Sequence, residues 1–133
     1  MKIQLQNLDL TERTAFVKSS LEGGNRLGLI SSIDGNQLIT LILSPEKHQI
    51  QCFETPLDGE SYHSITPSVP QAHWFERTTW DMFGLMPEGH PRLKHTHLHE
   101  PFAFVAPPLA KVERQANERN YTFLDVEGEG IYI

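Results

Sequence analysis

At 133 residues, 38% of them apolar, the chain has the length of one domain and the means to bury a core of its own. A net charge of −6 argues against nonspecific nucleic-acid binding, which calls for a basic patch. Its single cysteine, Cys52, excludes an internal disulfide and is too few for an iron–sulfur cluster or nickel–iron centre, so no redox cofactor is expected in this chain.

Asp9-Leu10-Thr11-Glu12 has the spacing of a capping box with Asp9 as N-cap, and Gly23-Gly24 supplies a stop. Residues 10–22 therefore read as a helix with Leu10, Val17 and Leu21 inward. Residues 26–33 alternate, with Leu27, Leu29, Ser31 and Ile33 on one face, and Asp34-Gly35 is a hairpin turn before a strand at 37–43. Leu38 to Leu43 is apolar on both faces, as in a central strand. Ser44-Pro45-Glu46-Lys47 turns the chain into a third strand at 48–55, with alternating Ile50 and Cys52. A turn-rich loop at 56–61 leads to a short strand at about 62–66.

Ser68-Val69-Pro70-Gln71 then opens a second helix, about Pro70 to Phe83, with Ser68 as N-cap and a proline in the first turn. Gly84 follows the last aromatic, where a left-handed residue ends a helix, and Pro87 opposes a restart. Ala72, Phe75, Thr79, Met82 and Phe83 share the side expected to cover a sheet. Trp74, Arg77, Trp80 and Asp81 lie mostly elsewhere, and Arg77 and Asp81, four apart, are placed to pair. Such a helix needs a second neighbour, either the rest of the domain or another protein; Trp, Phe, Met and Arg are the types that enrich interface cores. The expected architecture is α+β: two layers, a mostly antiparallel sheet with two helices on one face, and an extended C-terminal tail.

The run Glu76-Arg77, Trp80-Asp81-Met82-Phe83-Gly84-Leu85 and Glu88-Gly89-His90-Pro91, with basic Lys94, resembles the signature of the 30-kDa subunit of NADH-quinone oxidoreductase (respiratory complex I). Thr78 stands where that family has a second Glu, while Asp81, His90 and Lys94 keep their spacing. Residues 62–70 are similar to the N-terminal domain, itself of the 30-kDa type, of component G, the large subunit of energy-converting, formate hydrogenlyase-type nickel–iron hydrogenases, and the ending Val126 to Ile133 resembles the entry into that subunit's catalytic part.

The resemblance implies a noncatalytic accessory domain that docks on the large subunit of a hydrogenase or quinone oxidoreductase, beside an iron–sulfur subunit. Those partners would carry the iron–sulfur clusters, nickel–iron centre or quinone. It implies an interface of Trp74, Glu76, Arg77, Trp80, Asp81, His90, Lys94, Phe102 and Phe104, so replacing Glu76 and Arg77 together by Ala is expected to spare folding. No stretch reaches the roughly 18 to 20 consecutive apolar residues of a membrane helix, and no signal peptide is visible. The expected location is cytoplasmic, on the inner side of the cell membrane through partners.

A division into residues 1–100 and a tail at 101–133 is expected, because Pro101 to Leu109 is apolar and bracketed by prolines, an extended arm or edge strand. The arm lies on a partner, as the resemblance implies, or on its own domain. Residues 111–120 read as a short helix or linker and 121–126 as a final strand.

His95, His97 and His99 would share one side of an extended chain, a weak zinc candidate, since same-side groups over five residues spread about 13 Å at 3.3 Å per residue. A histidine cluster that binds metal adventitiously is the stronger reading. His90, held extended by Pro91, suits structural bracing first, through a backbone carbonyl or an acid such as Asp81. Cys52 lacks a nucleophile elbow and the glycines form no phosphate loop, so no active site is expected. A free-standing protein-binding module derived from such a complex is the alternative, with the zinc protein behind it.

Overall fold

The computed structural model describes residues 5–97 and 107–110. The hairpin turn forms where Asp34-Gly35 predicts it: Gly35 adopts φ 83° and the Asn36 amide donates to Asp34 Oδ1 at 2.9 Å. Strands β2 (Arg26–Ser31) and β3 (Gln37–Ser44) pair antiparallel around it, and β3 pairs antiparallel with β4 (Gln49–Pro56). A short strand, β1 (Leu5–Asn7), adds parallel to β4, giving the order β1-β4-β3-β2. With β1 on one edge and β2 on the other, β3 is internal, as its two-sided apolar pattern requires.

Helix α1 (Leu10–Glu22) starts at the Asp9 carbonyl, which accepts from the Glu12 amide at 3.1 Å, while the Asp9 side chain makes no capping bond. Val17 is fully buried and Phe16 meets Phe53 edge-on, with ring centroids 4.8 Å apart. One inward expectation fails. Leu10 is at the surface, and Arg13 takes the buried place at 1% exposure. On the sheet, Leu29 and Ile33 are exposed and Ile30 is buried, because the pairing register shifts between Leu27 and Leu29. Gly28 permits that bulge: a Cβ there would lie 3.1 Å from Leu43 Cγ.

Beyond β5 (Ser61–His63), a 3₁₀ turn (Pro70–Ala72) feeds helix α2 (His73–Phe83). Ser68 is not its cap; the residue before the turn is Val69, whose amide closes a turn onto the Ile65 carbonyl at 2.7 Å. Ile65, Val69 and Ala72 join Val17, Ile30, Ile42 and Phe53 in one core, so both helices cover the same sheet face. Gly84 ends α2 at φ 76°, in the left-handed region. The next strand, β6 (Met86–Glu88), was not evident from the sequence; it pairs parallel with β5, and Leu85 packs with Leu38 and Tyr62 beneath it. The fold is α+β with a mostly antiparallel four-stranded sheet.

From the tail, the Leu109 amide donates to the Met82 carbonyl at 2.7 Å, and Pro107 packs over Gly84. Phe102 and Phe104, and the elements expected at 111–120 and 121–126, lie outside the described residues.

Candidate docking site

Helix α2 divides its polar residues between inside and outside. Glu76, on the buried side at 0% exposure, accepts from the Ser64 hydroxyl at 2.6 Å, from the Thr66 amide at 3.0 Å and from the Thr66 hydroxyl, with the Ile65 amide at 3.4 Å. It ties the Ser64–Thr66 loop to the helix. Thr79, one turn on, donates its hydroxyl to the Phe75 carbonyl at 2.8 Å and lies 3.2 Å from the Ile30 carbonyl of the sheet.

Asp81 is also buried, and it does not pair with Arg77. Its carboxylate accepts from the His97 amide at 3.0 Å, from the Thr96 amide and hydroxyl, and from the His95 ring. Burial alone would raise its pKa; the bonds from Thr96, His97 and His95 outweigh that and hold it below the usual value. The loop at 95–97 thereby closes over α2, and His95 stacks on Trp80 with centroids 4.3 Å apart. His97 Nε2 lies 3.4 Å from the Thr78 hydroxyl. Two of the three histidines are thus placed against α2, and His99 lies outside the described residues, among which no cluster suited to a metal occurs.

Arg77 turns outward. Its Nε donates to the Lys94 carbonyl at 2.9 Å and its guanidinium lies over the Trp74 ring, 5.0 Å from the centroid. Trp74 is 52% exposed. His90 is braced as its Gly-His-Pro setting predicts: Nε2–H donates to the His73 carbonyl at 3.0 Å, and Nδ1 accepts from the Arg92 amide at 3.1 Å. Together these loops and the start of α2 enclose a cleft of about 760 Å³ lined by Thr66, Pro67, Pro70, His73, Trp74, Arg77, His90, Pro91 and Arg92.

Of the residues expected at an interface, Trp74, Arg77, His90 and Lys94 therefore surround an open surface. Trp80 is half-buried under His95, and Glu76 and Asp81 face inward. Signature acids at helical spacing read as surface charge until their loop partners are known. His73, Pro67 and Arg92 escaped the sequence reading; the prolines flanking the helix were the available signal.

A second polar group lies deeper. Arg13 is buried with its guanidinium 5.5 Å from the Tyr62 ring centroid, and its three side-chain nitrogens meet no hydrogen-bond partner among the described residues. Burial lowers its pKa, opposed by Tyr62 and Glu76. The Tyr62 hydroxyl has no partner of hydrogen-bond geometry there; burial, then the Glu76 charge, pushes it well above its ordinary value, with Arg13 opposing. Cys52 is half-buried, and burial, then Glu54, pushes its thiol up, away from the thiolate a nucleophile needs.

Residues 3–118 match the family described as respiratory-chain NADH dehydrogenase, 30 Kd subunit. The chain belongs to that family. It is a subunit of the respiratory oxidoreductase type. A stretch of 93 residues, 68% of the chain, is 32% identical to the C/D subunit of NADH-quinone oxidoreductase from Buchnera aphidicola. The C/D subunit from Bdellovibrio bacteriovorus is 44% identical over 54 residues, 41% of the chain, and that from Yersinia pestis 35% identical over 72 residues, 53% of the chain. These matches span only 15%, 9% and 12% of the respective relatives. A chain in the structure of the membrane-bound sulfane sulfur reductase, an archaeal respiratory membrane complex, shares the fold with TM-score 0.68 at 14% identity, over 92% of this 30-kDa-type chain and 86% of its own length. Among the described residues no helix is long and apolar enough to cross a membrane.

Proposed function

We propose that this 30-kDa-type chain is a noncatalytic docking subunit of a membrane-associated electron-transfer oxidoreductase, seated on the complex's large subunit through the outward side of α2 and the loop after β6. The observation that carries the reading is the division of α2. Its inward acids are committed to the chain's own loops, whereas Trp74 and Arg77 are left stacked on each other at the surface. A half-exposed Trp under a guanidinium, ringed by proline, is the kind of anchor on which binding energy concentrates. Among the described residues no paired acid and base converge in the cleft, and His90 is engaged at both ring nitrogens.

The relatives named NADH-quinone oxidoreductase favour the quinone-linked branch over the hydrogenase one. Redox groups would then reside in neighbouring subunits, and the chain would reach the membrane only through them, on its inner face.

The test is purification of the tagged chain from its native membranes, with partners identified by mass spectrometry and the eluate assayed for iron and nickel. A large subunit with iron and no nickel is expected. Nickel in the eluate would move the chain to the hydrogenase branch, and recovery of the chain alone would refute docking.

A further inference from the structure

The cleft beside Trp74 carries a charge opposite to that of the chain as a whole. Against a net charge of −6, its lining among the described residues holds Arg77, Arg92, His73 and His90 and no Asp or Glu. Among the described residues neither arginine enters a salt bridge. Arg77 is already oriented, by its Nε bond to the Lys94 carbonyl at 2.9 Å and its place over the Trp74 ring. Its terminal guanidinium nitrogens meet no partner among the described residues and form a preset fork, the geometry that receives a carboxylate through two parallel bonds. Orientation in advance lowers the ordering cost of binding.

The apolar walls narrow the class of ligand. Pro67, Pro70 and Pro91 stand around the half-exposed Trp74 ring, and about 760 Å³ lies within the range of ligand clefts. Flat proline and tryptophan faces suit an extended backbone, the mode by which aromatic-lined grooves take polyproline-type segments. A helix would need a longer apolar trough.

We infer that this cleft is the recognition site for an extended acidic segment of the neighbouring large subunit, with one carboxylate on Arg77, a second near Arg92, and an intervening apolar residue against Trp74. The inference rests on the docking reading and specifies its partner.

The test uses the assembled complex in native membranes, with Trp74→p-benzoylphenylalanine as a photo-cross-linking probe and the tagged chain purified after irradiation. The cross-link is expected on another subunit, within about four residues of at least two Asp or Glu. Arg77→Glu with Arg92→Glu should lower its yield at least tenfold without shifting the thermal unfolding of the isolated chain. A cross-link to a segment without acids, to this chain's own residues, or to nothing while the partners still co-purify overturns the cleft assignment and leaves docking standing. Undiminished yield in the charge-reversed variant also overturns it. Absence of any co-purifying subunit overturns both.

Discussion

The Glu76 carboxylate accepts the Thr66 amide at 3.0 Å, joining the buried side of α2 to the loop that leaves β5. The bond is isolated from water at both ends, since Glu76 is 0% and Thr66 4% exposed. Removal of the carboxylate takes their acceptor from the Ser64 and Thr66 hydroxyls and the Ile65 amide, and leaves the Thr66 amide only the Ser64 Oγ at 3.2 Å. Glu76→Ala should therefore lose about 3 to 5 kcal/mol of folding stability, with Glu76→Gln retaining part of it because one oxygen survives. Arg77→Ala, on the outward side, should change stability by no more than about 0.5 kcal/mol. Urea unfolding followed by circular dichroism separates them. A Glu76→Ala midpoint equal to that of Arg77→Ala would return Glu76 to the surface role its sequence context suggested.

Asp81 makes the 95–97 loop sensitive to acid. Its folded pKa lies below the ordinary carboxylate value, so above about pH 4 both folded and unfolded chains carry the charge and its bonds stabilise fully. As pH falls below that value the unfolded chain takes up the proton first, and the contribution declines until the folded carboxyl protonates too. Asp81→Asn, which keeps one acceptor and loses the charge, should cost about 2 kcal/mol at pH 7. The gap between variant and parent should narrow steadily from pH 5 to pH 2. A gap independent of pH over that range would show that the charge contributes nothing.

The two helices, the Asp34-Gly35 hairpin and the internal β3 were legible because periodicity and turn chemistry act within a few residues. Whatever depended on distant partners was not. The bulge at Gly28 reverses the facing of Ile30, and only the closeness of Leu43 on β3 explains it. The three-residue strands β1 and β6 carry too little pattern to stand out from loop, and each exists because β4 or β5 lies alongside. For the site, Trp74 and Arg77 were identifiable as outward, whereas Glu76 and Asp81 were assigned to the same surface although each folds into a loop 10 to 16 residues away. Helical spacing gives the side of a helix, and not which polar groups will be covered by chain arriving from elsewhere.

At Gly84 two constraints coincide. The residue is at φ 76°, and a Cβ there would meet Pro107 Cγ at 3.0 Å. Gly84→Ala should cost about 1 to 2 kcal/mol from the left-handed backbone alone, and the added methyl should push Pro107 off α2. Because the Leu109 amide bonds the Met82 carbonyl just beyond, that displacement should open residues 107–110 to protease. Limited proteolysis with mass mapping checks this. If Gly84→Ala loses stability without faster cleavage there, the tail contact is not what the glycine serves.

Arg13 presents the opposite case, a buried charge whose removal should help. Its guanidinium is 1% exposed and meets no hydrogen-bond partner among the described residues, and desolvation is the largest influence on it, ahead of its attraction to Tyr62 and Glu76. Burying an ion costs several kcal/mol of desolvation, and an apolar side chain of similar volume does not incur that cost. Arg13→Met should therefore raise the urea midpoint, because Met fills the space between α1 and Tyr62 without a charge to desolvate. Arg13→Ala should lower it, since truncation leaves a cavity in the packed layer. The pair of variants separates volume from charge: if Met destabilises as much as Ala, the guanidinium is contributing an interaction that outweighs its desolvation, and the ordering argued for Arg13 is reversed.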